Sequence, residues 1–280
     1  MPETAPGPSR APSPPSRSQS RFPPGCGLLV VGHGTADPVG AAETRRVSEL
    51  VAQALPGVPV ALGFLEVIGP TIADGLAVLA AAGCREVVAA PLLLFEAGHA
   101  KRDVPEAIAA PAADRGLGVR QAGPLGLHDA IVRLSRRRRE AVGSDDPPAA
   151  ATTLVLVGRG SSDPATPAQL QAFAAATLAA APRPARLILG FVAAARPSVA
   201  EALAAAADPS WRDVRRILVQ PHLLFRGHVE DHVSEAVAAA RVARPELEWL
   251  QVPRLGPDPL VVEALIDRAV EAIGARAQGR

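Results

Sequence analysis

Three side chains that could bind a metal ion or accept a proton follow three successive apolar segments near the start of this chain. His33 stands between two glycines, Glu66 follows the segment 59–65, and His99 follows the segment 87–95. Imidazole nitrogens bind cobalt, iron, nickel and zinc, and a carboxylate can complete an open set of ligands. A neutral imidazole, with an ordinary pKa near 6.5, can also accept a proton. These residue types therefore predict a metal site, a general-base site, or both.

Each of these positions also has an interpretation without chemistry. A Gly-rich turn between a strand and a helix, taken alone, favours phosphate binding or a simple tight turn over metal binding. Glu66 could instead assist a helix N-terminus or be a solvated loop acid. A single histidine after a strand is usually an ordinary loop residue, but the arrangement around His99 recurs at His228. That recurrence weakens the ordinary interpretation for His99.

The elements that must position these residues alternate regularly between strand and helix. Short apolar runs predict strands, and Pro or Asp-Pro after a turn predicts helix starts. The predicted strands are 28–31, 59–65, 86–95 and 118–122. The predicted helices are about 38–55, 70–83, 103–115 and 128–142. Four such alternations predict a parallel sheet covered on both faces, and such sheets bind ligands at the carboxyl ends of their strands.

The same pattern begins again after a Pro- and Ala-rich segment. LLVVGHGTADP at 28–38 returns as LVLVGRGSSDP at 154–164, while GFLEVIGPT and PLLLFEAGH return as GFVAAARPS and PHLLFRGH. We therefore divide the chain into a disordered tail (1–25), a first half (26–143), a linker (144–153) and a second half (154–277). The repeat predicts two similar α/β domains, each large enough to bury its own core.

The two copies differ at the residues that could do chemistry. The second half has Arg159 for His33, Ala193 or Ala194 for Glu66, and His228 for His99. Because two of the three side chains are lost, we interpret the first half as the one that carries the chemistry and the second as a degenerate repeat.

The remaining histidines predict less. His228 and His232 are four residues apart at a helix start, a spacing that can bind a metal but is more often exposed or locally packed. His222 lies within a predicted strand, which favours a core or interdomain position. His128 starts a helix, and we expect no catalytic role for it.

Composition excludes several other classes of function. The net charge is +1 and the chain has no Tyr, so neither a polyanion-binding surface nor a stacking platform for single-stranded nucleic acid is expected. Two cysteines are too few for a zinc site or a disulfide framework and predict reduced thiols in a cytoplasmic protein. No apolar run approaches the ~18 residues of a membrane span, and the Pro-, Ser- and Arg-rich tail lacks the apolar region of a signal peptide.

Three motifs in fixed order resemble a known family. A strand followed by GHG and a downstream Asp-Pro is followed by FLE with a Pro, and then by PLLLF with GHxKxDVP. Together they resemble the CbiX/SirB-type sirohydrochlorin chelatases, and the tandem copy resembles the long, two-domain form. The resemblance covers about 28–276, nearly everything outside the tail.

The resemblance implies a lyase that inserts a divalent metal, cobalt or iron, into sirohydrochlorin on the way to cobalamin or sirohaem. It also implies the class II chelatase architecture, in which two similar α/β domains face each other across a cleft. The family's paired metal-site histidines fall on His33 and His99, and a site glutamate maps onto Glu66. All three are then candidate catalytic residues, and no cofactor is expected beyond the substrate metal.

The expected partners are sirohydrochlorin and the metal ion, without nucleic acid or membrane. Because the duplication supplies both halves of a cleft, we expect a monomer. Candidate anchors for the substrate's carboxylates are the basic residues of predicted loops and helix starts: Lys101, Arg102, Arg159, Arg226 and Arg254. The rival hypothesis is a non-catalytic carrier of metal or tetrapyrrole on the same duplicated fold.

Overall fold

The computed structural model describes residues 21–95, 102–143, 147–179 and 183–275. The first half contains β1 (Cys26–Gly32), α1 (Pro38–Ala54), β2 (Val60–Phe64), α2 (Ile72–Ala81), β3 (Glu86–Pro91), α3 (Val104–Ala113), β4 (Gly118–Gln121) and α4 (Asp129–Glu140). The second half contains β5 (Thr152–Gly158), α5 (Thr166–Leu178), β6 (Arg186–Phe191), α6 (Val199–Ala206), β7 (Arg216–Pro221), α7 (His228–Ala243), β8 (Glu248–Gln251) and α8 (Pro259–Gly274).

The strands form two parallel four-stranded sheets with the same order, β2-β1-β3-β4 and β6-β5-β7-β8. In each sheet the central strand, β1 or β5, is buried along its whole length. Continuous apolar runs of this kind are expected when helices cover both faces of a sheet. The predicted fold class, two similar α/β units in tandem, is confirmed.

Helix starts are fixed by side chains that recur in both halves. The Asp37 carboxylate accepts hydrogen bonds from two backbone N–H groups in the first turn of α1. Thr71 and Asp74 form a reciprocal capping pair at the start of α2, and Ser198 and Glu201 repeat that pair at α6. These caps fix where α1, α2 and α6 begin, and therefore how long the loops before them are.

Strand β3 is shorter than its apolar sequence predicts. The prediction continued it to residue 95, but it ends at Pro91. Its neighbour β1 ends at Gly32, and the last paired residues are Val31 and Pro91. After Leu92, whose N–H donates to the Val31 carbonyl over 2.8 Å, β3 has no strand beside it to pair with. The apolar residues that follow therefore form a loop at the carboxyl edge.

The last helix of each half packs against the other half. Helix α8 lies on β3, β4 and α1 of the first half, and α4 packs against α5 and α8. The buried Arg139 of α4 donates to the side chain of Gln220 on β7 and to the carbonyl of Thr177 on α5, both over 3.1 Å. The largest cluster of buried apolar side chains accordingly contains residues of both halves. Each half also has a buried apolar cluster of its own, as expected, and the shared cluster arises because each half contributes a helix to its neighbour.

The packed structure also begins earlier than the predicted end of the tail. Phe22 is buried in the shared core, and Arg21 pairs with Asp267 of α8 over 2.7 Å. Residues 1–20 of the predicted tail and 144–146 of the predicted linker lie outside the described residues. In the described ranges, no helix combines the length and the apolar character that crossing a membrane requires.

Candidate metal site at the carboxyl edge of the first sheet

The structure brings together His33 and Glu66, which the sequence places on different loops. The His33 Nε2 atom lies 3.3 Å from the Glu66 Oε1 atom. The side chains are 28% and 53% exposed, so both can be reached from solvent. On the other side of the ring, the His33 Nδ1 atom lies 3.1 Å from the Gly34 carbonyl oxygen. An Nδ1–H group donating to that carbonyl would leave Nε2 as an acceptor, which can face the Glu66 carboxylate favourably when a cation lies between them.

The backbone of the two loops holds this pair in place. The Glu66 N–H donates to the His33 carbonyl over 3.1 Å, and the Leu65 N–H donates to the Gly32 carbonyl over 2.9 Å. Gly34 has a φ of 100°, and a Cβ atom added there would lie 1.9 Å from the Glu66 carbonyl oxygen. A residue with a side chain would therefore push the two loops apart, which explains the second glycine of the GHG motif.

The separation of the two polar atoms suits a shared metal ion. Ligand atoms about 2.1 Å from an ion in a tetrahedral or octahedral shell lie roughly 3.0–3.4 Å apart. The 3.3 Å between His33 and Glu66 falls in that interval. Among the described residues, no group of three or more His, Cys, Asp or Glu side chains could hold a metal. His99, the third predicted residue, lies outside the described residues, and its role as a ligand stays a prediction.

Apolar residues surround the base of His33. A narrow depression at the strand ends is lined by Val31, Gly32, His33, Leu65, Leu93 and Val104. This surface offers few competing polar groups, so the imidazole and the carboxylate are the reactive groups of this edge. An ion bound there would lie over an apolar floor that supplies no further ligand atoms from that side.

The equivalent turn of the second half has the same backbone and different side chains. A Cβ atom added at Gly160 would lie 1.8 Å from the Ala193 carbonyl, as one at Gly34 would meet Glu66. Ala193 is therefore the counterpart of Glu66, and of the two candidates left open by the sequence the structure selects this one. The His33 counterpart, Arg159, is exposed and has no ion-pair partner among the described residues.

The basic residues proposed as substrate anchors divide into two groups. Arg226 pairs with Asp231 over 2.5 Å, and Arg254 is held between two carboxylates. Internal pairing thus occupies both of these side chains. Arg102 and Arg159 are exposed and have no ion-pair partner in the described part of the chain, whereas Lys101 lies outside it. Arg102 and Arg159 therefore remain available to a carboxylate ligand.

The other histidines have structural positions. His222 is buried between the rings of Phe95 and Phe173, with centroids 5.0 and 4.0 Å away, so of the two predicted positions, core or interdomain, it lies where the two halves meet. The His128 Nδ1 atom accepts from the N–H of Ala130 and so caps α4. His228 and His232 begin α7, and within the described ranges no third side chain joins them in a possible metal site.

The carboxyl edges of the two sheets lie together in the structure. The stacking of Phe95 on His222 joins the loop after β3 to the end of β7. The carbonyl of Arg226, in the loop after β7, is so close to Gly40 of α1 that a Cβ atom there would lie 2.1 Å from it. Loops of both halves therefore line the same interdomain region, beside the His33 turn.

Sequence reasoning missed Glu43, which joins the two halves at this place. Its carboxylate accepts from the guanidinium of Arg254 over 2.6 Å and from the backbone N–H of Arg226 over 2.9 Å. On the amphipathic helix α1 a glutamate predicts only a solvated surface. The available signal was the repeat, because the corresponding residue of the second half is the uncharged Gln169.

A duplicated parallel α/β protein with an imidazole and a carboxylate at a shared strand edge fits the architecture expected of the two-domain chelatases. Comparison with known proteins agrees with this class. The CbiX family model matches the chain twice, at 27–142 and 153–272. Because these matches span most of the sequence, the chain belongs to the CbiX family.

Individual relatives match most of this chain and most of their own length. A sirohydrochlorin ferrochelatase of Priestia megaterium is 31% identical over 224 residues, which cover 74% of this chain and 76% of that protein. A sirohydrochlorin cobaltochelatase of the same organism is 24% identical and covers 88% of this chain and 79% of its own. The structure of SirB from Bacillus subtilis with Fe3+ superposes with a TM-score of 0.79 at 26% identity, covering 90% of this chain and 98% of that one.

Proposed function

We propose that this protein inserts a divalent metal ion, cobalt or iron, into sirohydrochlorin, a step of cobalamin or sirohaem biosynthesis. The observation that carries the proposal is the His33–Glu66 pair, 3.3 Å apart at the strand edge of a chain that belongs to the CbiX family throughout. Relatives that match about three quarters or more of this chain are named as sirohydrochlorin ferrochelatase and cobaltochelatase, which supports the same reaction here.

His33 and His99 are the proposed metal-binding residues, and Glu66 assists them. The reaction exchanges two pyrrole protons of the macrocycle for one divalent cation, so it needs no redox change and no nucleotide. The metal is a substrate, and no separate cofactor is part of the proposal. Once the ion leaves for the macrocycle, a neutral His33 or the Glu66 carboxylate can accept a released proton, because both stand at the point of transfer.

The second half supplies the opposing side of the cleft. Arg159 and Arg102, exposed and available for pairing, are the proposed anchors for substrate carboxylates. The duplication gives one chain both sides of the cleft, and the shared core keeps them together. We therefore propose that the protein acts as a monomer.

We propose either cobalt or iron as the metal, because the imidazole and carboxylate ligands bind both ions. Imidazole and carboxylate bind cobalt and iron alike, and selectivity among such ions often follows supply. The two Priestia megaterium relatives, named for different metals, indicate that both specificities occur within the family.

The test follows the visible spectrum of sirohydrochlorin, without oxygen, after addition of Co2+ or Fe2+ with and without the protein. We expect the metallated spectrum to appear at least tenfold faster with catalytic amounts of wild-type protein, and His33→Ala to lose most of that acceleration. Glu49→Ala, which changes an exposed residue of α1, is the control and should behave as wild type.

A carrier would give a different result. It would bind metal or sirohydrochlorin stoichiometrically without more than one turnover per protein molecule. That outcome, with folded protein and both metals, would reject the enzymatic proposal.

A further inference from the structure

A three-residue ionic cluster joins the two halves beside the candidate site. The Arg254 guanidinium donates to Glu43 of α1 over 2.6 Å and to Glu230 of α7 over 2.8 Å. The three side chains are only 24%, 15% and 12% exposed. The pKa of Arg254 is raised above its ordinary value, and its hydrogen bonds to Glu43 contribute most to that rise. Charge-assisted contacts of this kind, partly withdrawn from water, restrict geometry more than exposed ion pairs do.

The same glutamate also holds a loop of the second half. One oxygen of Glu43 accepts from the backbone N–H of Arg226 over 2.9 Å. The carbonyl of Arg226 approaches α1 at Gly40, where any side chain would collide with it. A Cβ atom added at Gly227 would lie 4.0 Å from the hydroxyl of Thr35, two residues beyond His33. The segment 226–227 thus packs closely on the start of α1 and lies beside the turn that carries the candidate ligand.

The equivalent contact, at the repeat positions of Glu43 and Arg254, lacks both the carboxylate and the guanidinium. In the repeat, Thr166 corresponds to Gly40 and Gln169 to Glu43. Leu125 and Leu255 donate to equivalent carbonyls, those of Leu93 and Leu223, so the position of Arg254 corresponds to Pro124. Gly40, Glu43 and Arg254, which the repeat lacks, all belong to the contact beside His33. These residues therefore form the contact on the side of the interface that also carries His33 and Glu66.

We propose that Glu43, together with Arg254 and Glu230, is a positioning residue that fixes segment 226–227 of the second half as a wall of the sirohydrochlorin cleft. This inference rests on the proposed function and deepens it, because it assigns the second half a defined part in binding the macrocycle. A wall held at three polar contacts keeps the tetrapyrrole in register over the His33 turn. Binding of the metal alone does not involve this wall.

The experiment compares Glu43→Ala with Glu263→Ala in the full-length protein. Glu263 pairs with Arg133 across the two halves over 2.8 Å, but on the exposed surface of α8. Both variants therefore lose one carboxylate of an interhalf ion pair, and only the first changes the cluster at the cleft. We expect Glu43→Ala to raise KM for sirohydrochlorin about tenfold while kcat changes less than about threefold, because positioning mainly affects macrocycle binding. Glu263→Ala should leave both constants as in the wild type.

Two further measurements make the role specific. Hydrogen exchange should show faster exchange of the Arg226 amide in Glu43→Ala, since that N–H loses its acceptor, while calorimetric affinity for Co2+ alone stays unchanged. Glu43→Gln keeps an acceptor oxygen without the charge and should give a KM between those of the wild type and Glu43→Ala. If Glu43→Ala does not fold, Glu43→Leu, which fills a similar volume without an acceptor oxygen, takes its place in every comparison.

Three results would overturn the proposal. They are equal KM values in Glu43→Ala and Glu263→Ala, an unchanged exchange rate at Arg226, or a loss of Co2+ affinity equal to the loss of sirohydrochlorin affinity. The sirohydrochlorin dissociation constant is also measured without metal. A wild type that binds the macrocycle but does not metallate it would reject the proposed function, and the dissociation constants of the variants would still decide whether the wall exists.

Discussion

The two halves of this protein have nearly the same backbone and different chemistry. Gly34 and Gly160 both have positive φ values, 100° and 86°, and both lie against a carbonyl oxygen of the next loop. The residues after them on the adjoining loop, Val67 and Ala194, also share a positive φ. Yet the first half presents an imidazole and a carboxylate at this edge, where the second presents a guanidinium and a methyl group.

This difference separates what the fold requires from what the reaction requires. The glycines are dictated by the distance between two loops, so a repeat that keeps the fold must keep them. His33 is partly exposed and Glu66 mostly so, and neither is needed for packing. The side chains at those positions can therefore change without unfolding the domain, and in the second half they have changed.

The largest expected effect contrasts the histidine that both halves keep. His99→Ala should lower kcat/KM for metallation at least 100-fold, because a proposed metal ligand is lost, and His228→Ala less than about fivefold. The measurement is the initial rate of sirohydrochlorin metallation at fixed Co2+, with thermal melts to show that both variants are folded. Losses of equal size would mean that both halves contribute catalytic groups.

The next effect contrasts the two glycines. Gly34→Ala and Gly160→Ala should each lower the free energy of unfolding by about 2–4 kcal/mol, because an added Cβ meets a backbone carbonyl in a region unfavourable to L-residues. The two stability losses should be similar, measured by urea unfolding. Metallation at a temperature well below both melting points should fall in Gly34→Ala, where Glu66 is displaced, and stay near wild type in Gly160→Ala. An equal loss of activity in the two variants would show that turn geometry in both halves serves the reaction.

Much of this arrangement could be predicted from the sequence. Apolar runs and Pro-started helices predicted the order of strands and helices, because those signals are local. The sequence placed His33 and Glu66 after two parallel strands, whose carboxyl ends form the ligand-binding edge of a sheet, and the structure shows that these strands are neighbours. The repeat itself identified which half had kept both residues.

The contacts between the halves could not be predicted in this way. An amphipathic pattern shows that α8 buries one face, but not that the face lies on β3 and β4 of the other half. In the same way Glu43 and Arg254 have ordinary positions in the sequence, 211 residues apart, and only the fold shows that they pair. The periodicity of apolar residues predicts that a helix forms and which face it buries. It does not predict that the last helix of one half packs on the other half, because that contact depends on the fold of the complete chain.

At one buried position the second half has a polar side chain where the first half has an apolar one. Leu92 follows β3 in the first half, and His222 is its counterpart after β7, with the same backbone hydrogen bond to the central strand. Both side chains are about 4% exposed. Among the described residues, neither ring nitrogen of His222 has a hydrogen-bond partner, and burial lowers its pKa to about 3. Here the degenerate half carries a polar group whose desolvation is uncompensated.

The smallest expected effect follows from that position and has a defined dependence on pH. The folded pKa of about 3 lies below the ordinary 6.5 of an unfolded chain, so the unfolded state binds the proton more strongly. His222 therefore has little effect of this kind on the free energy of unfolding above pH 6.5. As the pH falls from 6.5 toward 3, it lowers that free energy by an increasing amount. At about pH 5 this cost is about 2 kcal/mol, from 1.4 kcal/mol per pH unit.

His222→Leu, which copies the first half, removes this cost together with the unpaired nitrogens. Near pH 7.5 we expect a gain of about 1 kcal/mol in the free energy of unfolding, since lost ring contacts with Phe95 and Phe173 offset part of the benefit. At about pH 5 the gain should rise by about 2 kcal/mol more. Urea unfolding at the two pH values measures it, and the reciprocal variant Leu92→His should lose stability and lose more at the lower pH. A gain from His222→Leu that is equal at both pH values would contradict this prediction. It would show that at about pH 5 the imidazole is protonated in the folded protein as it is in the unfolded chain, despite its burial between two aromatic rings.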